Sequence, residues 1–379
     1  MQICICRIRV EEWIKISDLL FFQEGPGVRN TQYTQSGVKL LNVANLVNGK
    51  VDLSTSDRYI SEDEAYGRYK HFLCDDGDFI IASSGIKVEY FDRKMGFVDS
   101  SMLPLCMNTS TIRFKVIDSK RLNIKYFMYY LKSIHFKQQL SKFITGSAQL
   151  NFGPSHLKKM NMPLVSLKEQ NDIVEKLSKV ELLLDKYNGE IKLLDELIKA
   201  RFVEMFGDPI YNTQNRPMTE FINVVKMQRG YDLPVQDRNH EGSIPVYGAN
   251  GVLGYHDVAK INNGGIITGR SGTIGKVYLA NKEYWPLNTS LFSIETYGNN
   301  LTYLQYLVTL YDLKRFVEGT GVPTLNRNMF HNKKIIEVPI NEQNTFASFV
   351  EEVDKSRLRE LLAIKQIKLL LHDSWFLFY

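Results

Sequence analysis

The stretch Asn171-Asp172-Ile173-Val174-Glu175-Lys176-Leu177-Ser178-Lys179-Val180-Glu181-Leu182-Leu183-Leu184-Asp185-Lys186-Tyr187-Asn188-Gly189-Glu190-Ile191-Lys192-Leu193-Leu194-Asp195-Glu196-Leu197-Ile198 decides how this chain is read. Apolar side chains recur at Ile173, Leu177, Val180, Leu184, Tyr187, Ile191, Leu194 and Ile198, in alternating steps of four and three. That 3.5-residue period, with Lys, Glu and Asp between, predicts a long helix whose apolar seam packs on another helix. Gly207-Asp208-Pro209 ends it, since glycine accepts a left-handed cap and proline cannot continue a helix.

A shift of 173 residues gives a second seam: Phe346, Val350, Val353, Arg357, Glu360, Ile364, Ile367 and Leu371. Its outer positions are apolar, and Arg357 and Glu360 interrupt the middle. A polar pair inside a seam fixes register and orientation at some cost in stability. One stripe alone would read as packing on its own domain; two matched stripes predict that the helices pair, antiparallel.

Each helix closes a repeated unit. Asn108-Thr109-Ser110 recurs as Asn288-Thr289-Ser290, and Tyr126-Phe127-Met128-Tyr129-Tyr130-Leu131 as Tyr303-Leu304-Gln305-Tyr306-Leu307. Thr145-Gly146-Ser147-Ala148-Gln149-Leu150-Asn151 parallels Thr320-Gly321-Val322-Pro323-Thr324-Leu325-Asn326. Met162-Pro163-Leu164 pairs with Val338-Pro339-Ile340, and Glu169-Gln170-Asn171 with Glu342-Gln343-Asn344. The offsets stay between 180 and 173 residues in one order.

Within each unit, short β-like runs broken by glycine come first, such as Val38–Val43, Asp78–Ala82, Gly265–Thr268 and Lys276–Ala280. A tyrosine-rich helix follows, near Ile124–Phe143 and Thr302–Glu318, then a Gly/Thr/Asn loop and a short strand. The expected fold class is α+β: two pseudo-repeated α/β domains separated by two long helices that form an antiparallel coiled coil. The expected boundaries are 1–165 and 208–340 for the domains, and 166–207 and 341–379 for the helices.

Composition sets the class. In 379 residues, 44% apolar and 12% aromatic content excludes wholesale disorder and provides material for two or three folded units. No apolar run approaches the ~18 residues that cross a bilayer. The start, Met1-Gln2-Ile3-Cys4-Ile5-Cys6-Arg7, lacks the pattern of a signal peptide, so a cytoplasmic protein without membrane contact is expected. Cys4, Cys6, Cys74 and Cys106 are too sparse for a disulfide framework or zinc ribbon, and Cys4-x-Cys6 reads as alternation in a strand. A formal charge of +5 permits a nucleic-acid partner without arguing for one.

The sequence carries no recognisable catalytic motif. The seven histidines include no His-Glu-x-x-His and are scattered, so no metal site is expected. Gly269-Arg270-Ser271-Gly272-Thr273-Ile274-Gly275-Lys276 resembles a phosphate loop, but Arg270 stands where the first glycine belongs and Val277 where Ser or Thr belongs. The Asn/Asp-Pro-Pro-Tyr tetrapeptide of amino-methyltransferases is missing. No paired-carboxylate-plus-lysine nuclease arrangement stands out.

The polar loops are the remaining candidates. The loop after Gly265–Thr268 carries Arg270, Ser271, Thr273 and Lys276, flanked by Tyr278 and Tyr284. Its counterpart Ile80–Lys87 carries Ser83, Ser84 and Lys87, with Tyr90 and Arg93 close behind. A second pair of loops offers Gln149 and Asn151, and Asn326 and Arg327. Arg29 and Lys39 in the first unit, and Arg229 and Tyr231 in the second, lie at corresponding early positions. Guanidinium and amide groups make bidentate contacts to base edges, while Lys, Ser and backbone N–H groups bind phosphates. Each loop taken alone reads equally well as an ordinary hairpin or turn with solvated polar side chains.

The whole arrangement resembles the DNA-specificity subunit of type I restriction–modification enzymes. The residues that carry the likeness are Gly37–Asn45, Asp78–Gly85, Gly265–Gly275, Pro286–Ser290 and the two Glu-Gln entries to the long helices, and it runs from about Trp13 to Tyr379. The resemblance implies two target-recognition domains, each reading half of a split site in double-stranded DNA. It implies helices that set the spacer and dock two methyltransferase subunits, with restriction subunits able to join. S-adenosylmethionine, ATP and Mg²⁺ would then sit on those partners, and this chain would carry no cofactor and no catalytic residue. Roughly 35 helical residues at ~1.5 Å each span about 50 Å, on the order of 10–15 base pairs. The alternatives are a DNA methyltransferase or nuclease whose active site escapes motif reading, and a coiled-coil adaptor. The second helix departs from the first by ending in Trp375-Phe376-Leu377-Phe378-Tyr379 without a Gly-Asp stop, so that either the chain is slightly short or this end packs near Trp13.

Overall fold

In a computed structural model, the described residues are 12–142, 150–239, 241–318 and 323–374. The readings at Cys4, Cys6, Gln149, Thr145–Ala148, Thr320–Val322 and Trp375–Tyr379 lie outside them. The chain divides into two compact units, Met1–Leu184 with Lys365–Tyr379, and Asp185–Ile364.

In the first unit, four antiparallel strands lie in the order Leu20–Glu24, Thr111–Val116, Phe79–Ala82, Met95–Phe97. In the second, the order is Lys226–Arg229, Ser290–Glu295, Gly265–Gly269, Val277–Ala280. The sequence order of the strands is the same in both sheets. Each unit adds a smaller sheet with one parallel pair: Leu105–Met107 beside Val38–Leu41, and Trp285–Pro286 beside Ile244–Gly248. Each also holds its chain entry in a two-stranded ribbon, Glu12–Lys15 on Asn161–Leu164 and Met218–Glu220 on Lys334–Ile336. The duplication read from five motifs is a duplication of topology.

The cores follow from the strand pattern. Phe79, Ile112 and Phe114 pack with Tyr126, Phe127 and Tyr130 in the first unit, all buried. Ile266 and Leu291 pack with Tyr303, Leu304 and Leu307 in the second. The tyrosine-rich helices are shorter than expected. The first splits into Ile124–Lys132 and Ile134–Ser141, because Ser133 is extended and its hydroxyl accepts from Phe136 N–H, capping a new helix. The second stops at Leu310; Asp312 is left-handed (φ 51°), a 3₁₀ turn follows, and Val317–Glu318 is strand.

The repeated Gln-Asn pair has a structural reason. Gln170 is fully buried; its amide donates to the carbonyls of Arg121 (2.8 Å) and Val165 (2.9 Å) and accepts from Asn123 N–H (2.8 Å). Gln343 repeats this with Asn299 Oδ1 (2.6 Å), the Val338 carbonyl (2.8 Å) and Asn300 N–H (2.9 Å). Asn171 and Asn344 accept from the Asn123 and Asn300 amides. Each glutamine therefore ties the start of a long helix to the cap of the tyrosine-rich helix in its own unit.

The long helices are Leu167–Phe206 and Ile340–Ser374, 40 and 35 residues. Ser166 and Glu169 cap the first reciprocally. Gly207 ends it at φ 79°, where its N–H reaches the Val203 carbonyl (2.8 Å). In the second unit the helices pair antiparallel: Phe202 and Phe206 stack edge-on against Phe346, Arg201 lies over the Phe349 ring, and Arg357 bridges Asp195 and Asp354. Ile198, Val350 and Val353 are buried in this cluster, with Leu194 packed against it. Arg357, the polar break in the seam, thus meets a carboxylate of the facing helix. Ile173 and Leu177 behave differently: they pack on the first unit's core, beside Tyr129 and Lys132, which hold Glu181. The seam's first two positions therefore pack on their own domain. Val180, Leu184, Tyr187, Ile191 and Ile367 are half-buried, Ile364 is buried, and Leu371 lies within the helix. Among the described residues no helix is long and apolar enough to cross a membrane.

Candidate nucleic-acid interface

In each unit one tight turn organises the candidate residues. In the second unit it is Leu287-Asn288-Thr289-Ser290. On one side Gly230 N–H donates to the Ser290 carbonyl (3.1 Å), and Tyr231 bridges to Leu287. On the other, the Thr289 carbonyl accepts from Arg270 N–H (2.9 Å) and Ser271 N–H (3.2 Å). The Arg270 carbonyl then accepts from Leu325 N–H (2.8 Å), and Ser271 pairs with Thr324. A continuous ridge results, from Arg229 through Asn288 and Arg270 to Asn326. Gly230 is obligatory in it, since a Cβ there would stand 2.2 Å from the Leu287 carbonyl oxygen.

The same ridge exists in the first unit. Gly25 N–H donates to the Thr111 carbonyl (2.9 Å), Ser83 N–H to that of Ser110 (2.8 Å), and Phe152 N–H to that of Ser83 (3.0 Å). Asn151 pairs with Ser84. A Cβ on Gly25 would lie 2.1 Å from the Asn108 carbonyl oxygen. These bonds correct the expected alignment. Ser110 matches Thr289 and Thr111 matches Ser290, one residue away from the Asn-Thr-Ser identity; Phe152 matches Leu325, so Asn151 matches Thr324 and Gly153 matches Asn326. Ser83 occupies the place of Arg270. Arg229 corresponds to Glu24, and Arg29 has no counterpart role.

The candidates differ in what they can reach. Arg229 is exposed and lies 3.6 Å from Asp232, which also accepts from the Asn288 amide. Tyr231 is half-buried against Phe292, with the Lys260 ammonium 4.9 Å over its ring. Arg270 is half-buried and gives one guanidinium N–H to the Asn288 carbonyl (3.3 Å), which ties the group to the ridge. Thr273 and Lys276 are exposed, and Ser271 is half-buried. Asn326 caps the turn at Arg327–Met329 by accepting from Asn328 N–H (3.1 Å), so its oxygen is committed; Arg327 is half-buried. Tyr284, expected beside the loop, is fully buried core.

In the first unit Arg29 and Lys87 are exposed and Ser84 is half-buried. Ser83 is buried, with its hydroxyl 3.5 Å from Glu24 Oε1, so it supports the ridge rather than reaching outward. Lys39 is mostly covered; its hydrogen bond to Asp57 (2.9 Å) raises the ammonium above its ordinary value and ties it down. Asn151 contributes backbone pairing to the ridge.

Sequence reading set Tyr90 and Arg93 side by side but missed the other cation–aromatic pairs. Arg58 lies 5.3 Å over Tyr33, Arg93 4.9 Å over Tyr90, and Lys260 5.7 Å over Trp285. The Arg93 and Tyr90 pair was visible as neighbours in sequence. The others join distant loops and left no local signal.

Comparison with known proteins follows the same doubling. A family model described as type I restriction modification DNA specificity domain matches residues 12–194 and again 212–369. The type I restriction enzyme MjaVIII specificity subunit of Methanocaldococcus jannaschii is 25% identical over 181 residues, 46% of this chain and 41% of that protein. The match thus spans about two fifths of that relative's length. The crystal structure of a type I restriction–modification S subunit from M. genitalium superposes over 98% of both chains with TM-score 0.58 at 16% identity. A chain from a structural study of complex assembly and conformational transition in a type I system covers 97% of both, with TM-score 0.52 at 14% identity. At these identities the likeness is one of fold.

Proposed function

Because the chain belongs to the type I restriction modification DNA specificity family, we propose that it is the address-reading subunit of such a system. Each unit reads one half of a split site in double-stranded DNA. The observation that carries this reading is the ridge, built twice from the same backbone hydrogen bonds and bearing different side chains each time. A shared frame with different tips suits two different half-sites. Of the candidates, Arg229, Thr273, Lys276 and Asn326 in the second unit and Arg29 and Lys87 in the first are exposed, and Tyr231, Arg270, Ser271, Arg327 and Ser84 are half-buried, which leaves each of them surface with which to touch DNA. Arginine suits guanine edges, and lysine and hydroxyl groups suit phosphates.

The methylation and cleavage chemistry falls to partners: two methyltransferase subunits with S-adenosylmethionine, joined by restriction subunits that use ATP and Mg²⁺. This chain itself carries no catalytic residue, metal or cofactor, and works in the cytoplasm. The paired helices set the number of unread bases between half-sites. Methylome sequencing of cells with and without this protein tests the reading. Loss of adenine methylation at one two-part motif is the expected result, and an unchanged methylome would refute it.

A further inference from the structure

At one position the two ridges carry opposite charge. Glu24 ends the strand Leu20–Glu24 and faces Ile112; Arg229 ends the strand Lys226–Arg229 and faces Leu291. The next residue in each is the glycine that must lie against the turn. Glu24 and Arg229 are therefore the same position of the duplicated frame, and both are exposed.

Their surroundings differ as their charges do. Arg229 has Asp232 nearby and lies two strands from Arg270 on the ridge. Among the described residues no cation pairs with Glu24. Its carboxylate meets the Ser83 hydroxyl (3.5 Å), and a Cβ on Gly153 would stand 3.5 Å from Oε2, ordinary contact. The second unit thus offers two guanidinium donors where the first offers a carboxylate acceptor supported by a buried serine.

A surface that approaches a polyanion gains nothing from an unpaired carboxylate unless that group meets a donor. Phosphates and the guanine major-groove edge present acceptors only; cytosine N4 and adenine N6 are the amino donors that a carboxylate accepts from. The geometry points to Glu24 as a specificity-determining residue that accepts from the exocyclic amino group of one base in the first unit's half-site. Arg229, at the same place in the second unit, reads an acceptor edge. This inference rests on the DNA-reading function proposed above.

The test is selection from a library of random duplexes by the full chain, comparing wild type with Glu24→Gln and Glu24→Ala. Glu24 is exposed, and unchanged melting temperatures would confirm intact folding of the variants. The expected result is that in Glu24→Ala one base pair of one half-site loses its cytosine or adenine preference by about tenfold to a hundredfold, that Glu24→Gln shifts the same base pair towards adenine, and that the other half-site is unchanged. A uniform rise in affinity for all sequences would overturn the inference, leaving Glu24 as a repulsive bystander. So would an unchanged motif in both variants. A wild-type chain that enriches no sequence would instead refute the DNA-reading function itself, and the inference with it.

Discussion

Replacing Gln343 with alanine tests why the Glu-Gln-Asn motif occurs twice. The side chain is 1% exposed and makes three hydrogen bonds, to Asn299 Oδ1, the Val338 carbonyl and Asn300 N–H. A net ~0.5–1 kcal/mol for each, plus about 1 kcal/mol for a buried Val338 carbonyl left without a donor, gives a loss of about 2.5–4 kcal/mol. Hydrogen exchange read by mass spectrometry resolves which unit loses it. Protection over Asn300–Leu310 and the first turns of Ile340–Ser374 should fall roughly thirtyfold for a 2 kcal/mol loss, while Ile124–Lys132 keeps its own. Gln170→Ala should produce the mirror result. Gln343→Glu keeps the shape but turns the donor into a carboxylate facing two oxygens, so it should be at least as damaging. A loss below ~0.5 kcal/mol, or a Glu variant as stable as wild type, would refute the argument.

Three further outcomes follow from the same geometry. Phe346→Ala should cost about 3–5 kcal/mol because it empties the cluster of Phe202, Phe206 and Tyr306, whereas Asp195→Ala, removing one exposed partner of Arg357, should cost under ~1 kcal/mol; chemical unfolding compares them, and equal losses would mean that the ion pair rather than the aromatics holds the helices. Arg270→Ala should cost about 1–3 kcal/mol at one position of the second half-site only, and a uniform loss across sequences would make it a phosphate contact. His331 accepts from Met227 N–H (3.2 Å), and burial holds its pKa down at about 4, below the unfolded value near 6.5. The unfolded chain therefore binds more protons between those values, so stability present above pH 6.5 is lost as pH falls towards 4; the melting temperature should fall less across that range in His331→Gln than in wild type, and identical pH profiles would remove His331 from the account.

The long helices were legible because their period repeats over many turns: the exposed Leu182, Leu193 and Leu197 fall off the seam and the covered residues on it. The duplication was legible from collinear short motifs, one of which, Gln-Asn, is the interaction that docks each helix. What escaped was register. Matching Asn108-Thr109-Ser110 to Asn288-Thr289-Ser290 followed side-chain identity, yet the frame is set by backbone bonds from Gly25 and Gly230 to residues far along the chain. Setting Arg29 and Lys39 against Arg229 and Tyr231 as corresponding positions hid Glu24, and the polarity of the Ile80–Lys87 loop gave no sign that Ser83 is buried. Ser133 escaped for a local reason: a serine in an apolar helical pattern can end one helix and cap the next, and periodicity does not distinguish that from a continuous helix.

Sequencing the duplexes that this chain retains from a random pool measures the central claim directly. Two specified blocks separated by a fixed number of unspecified bases are the predicted result. One uninterrupted block, or blocks at variable separation, would contradict it.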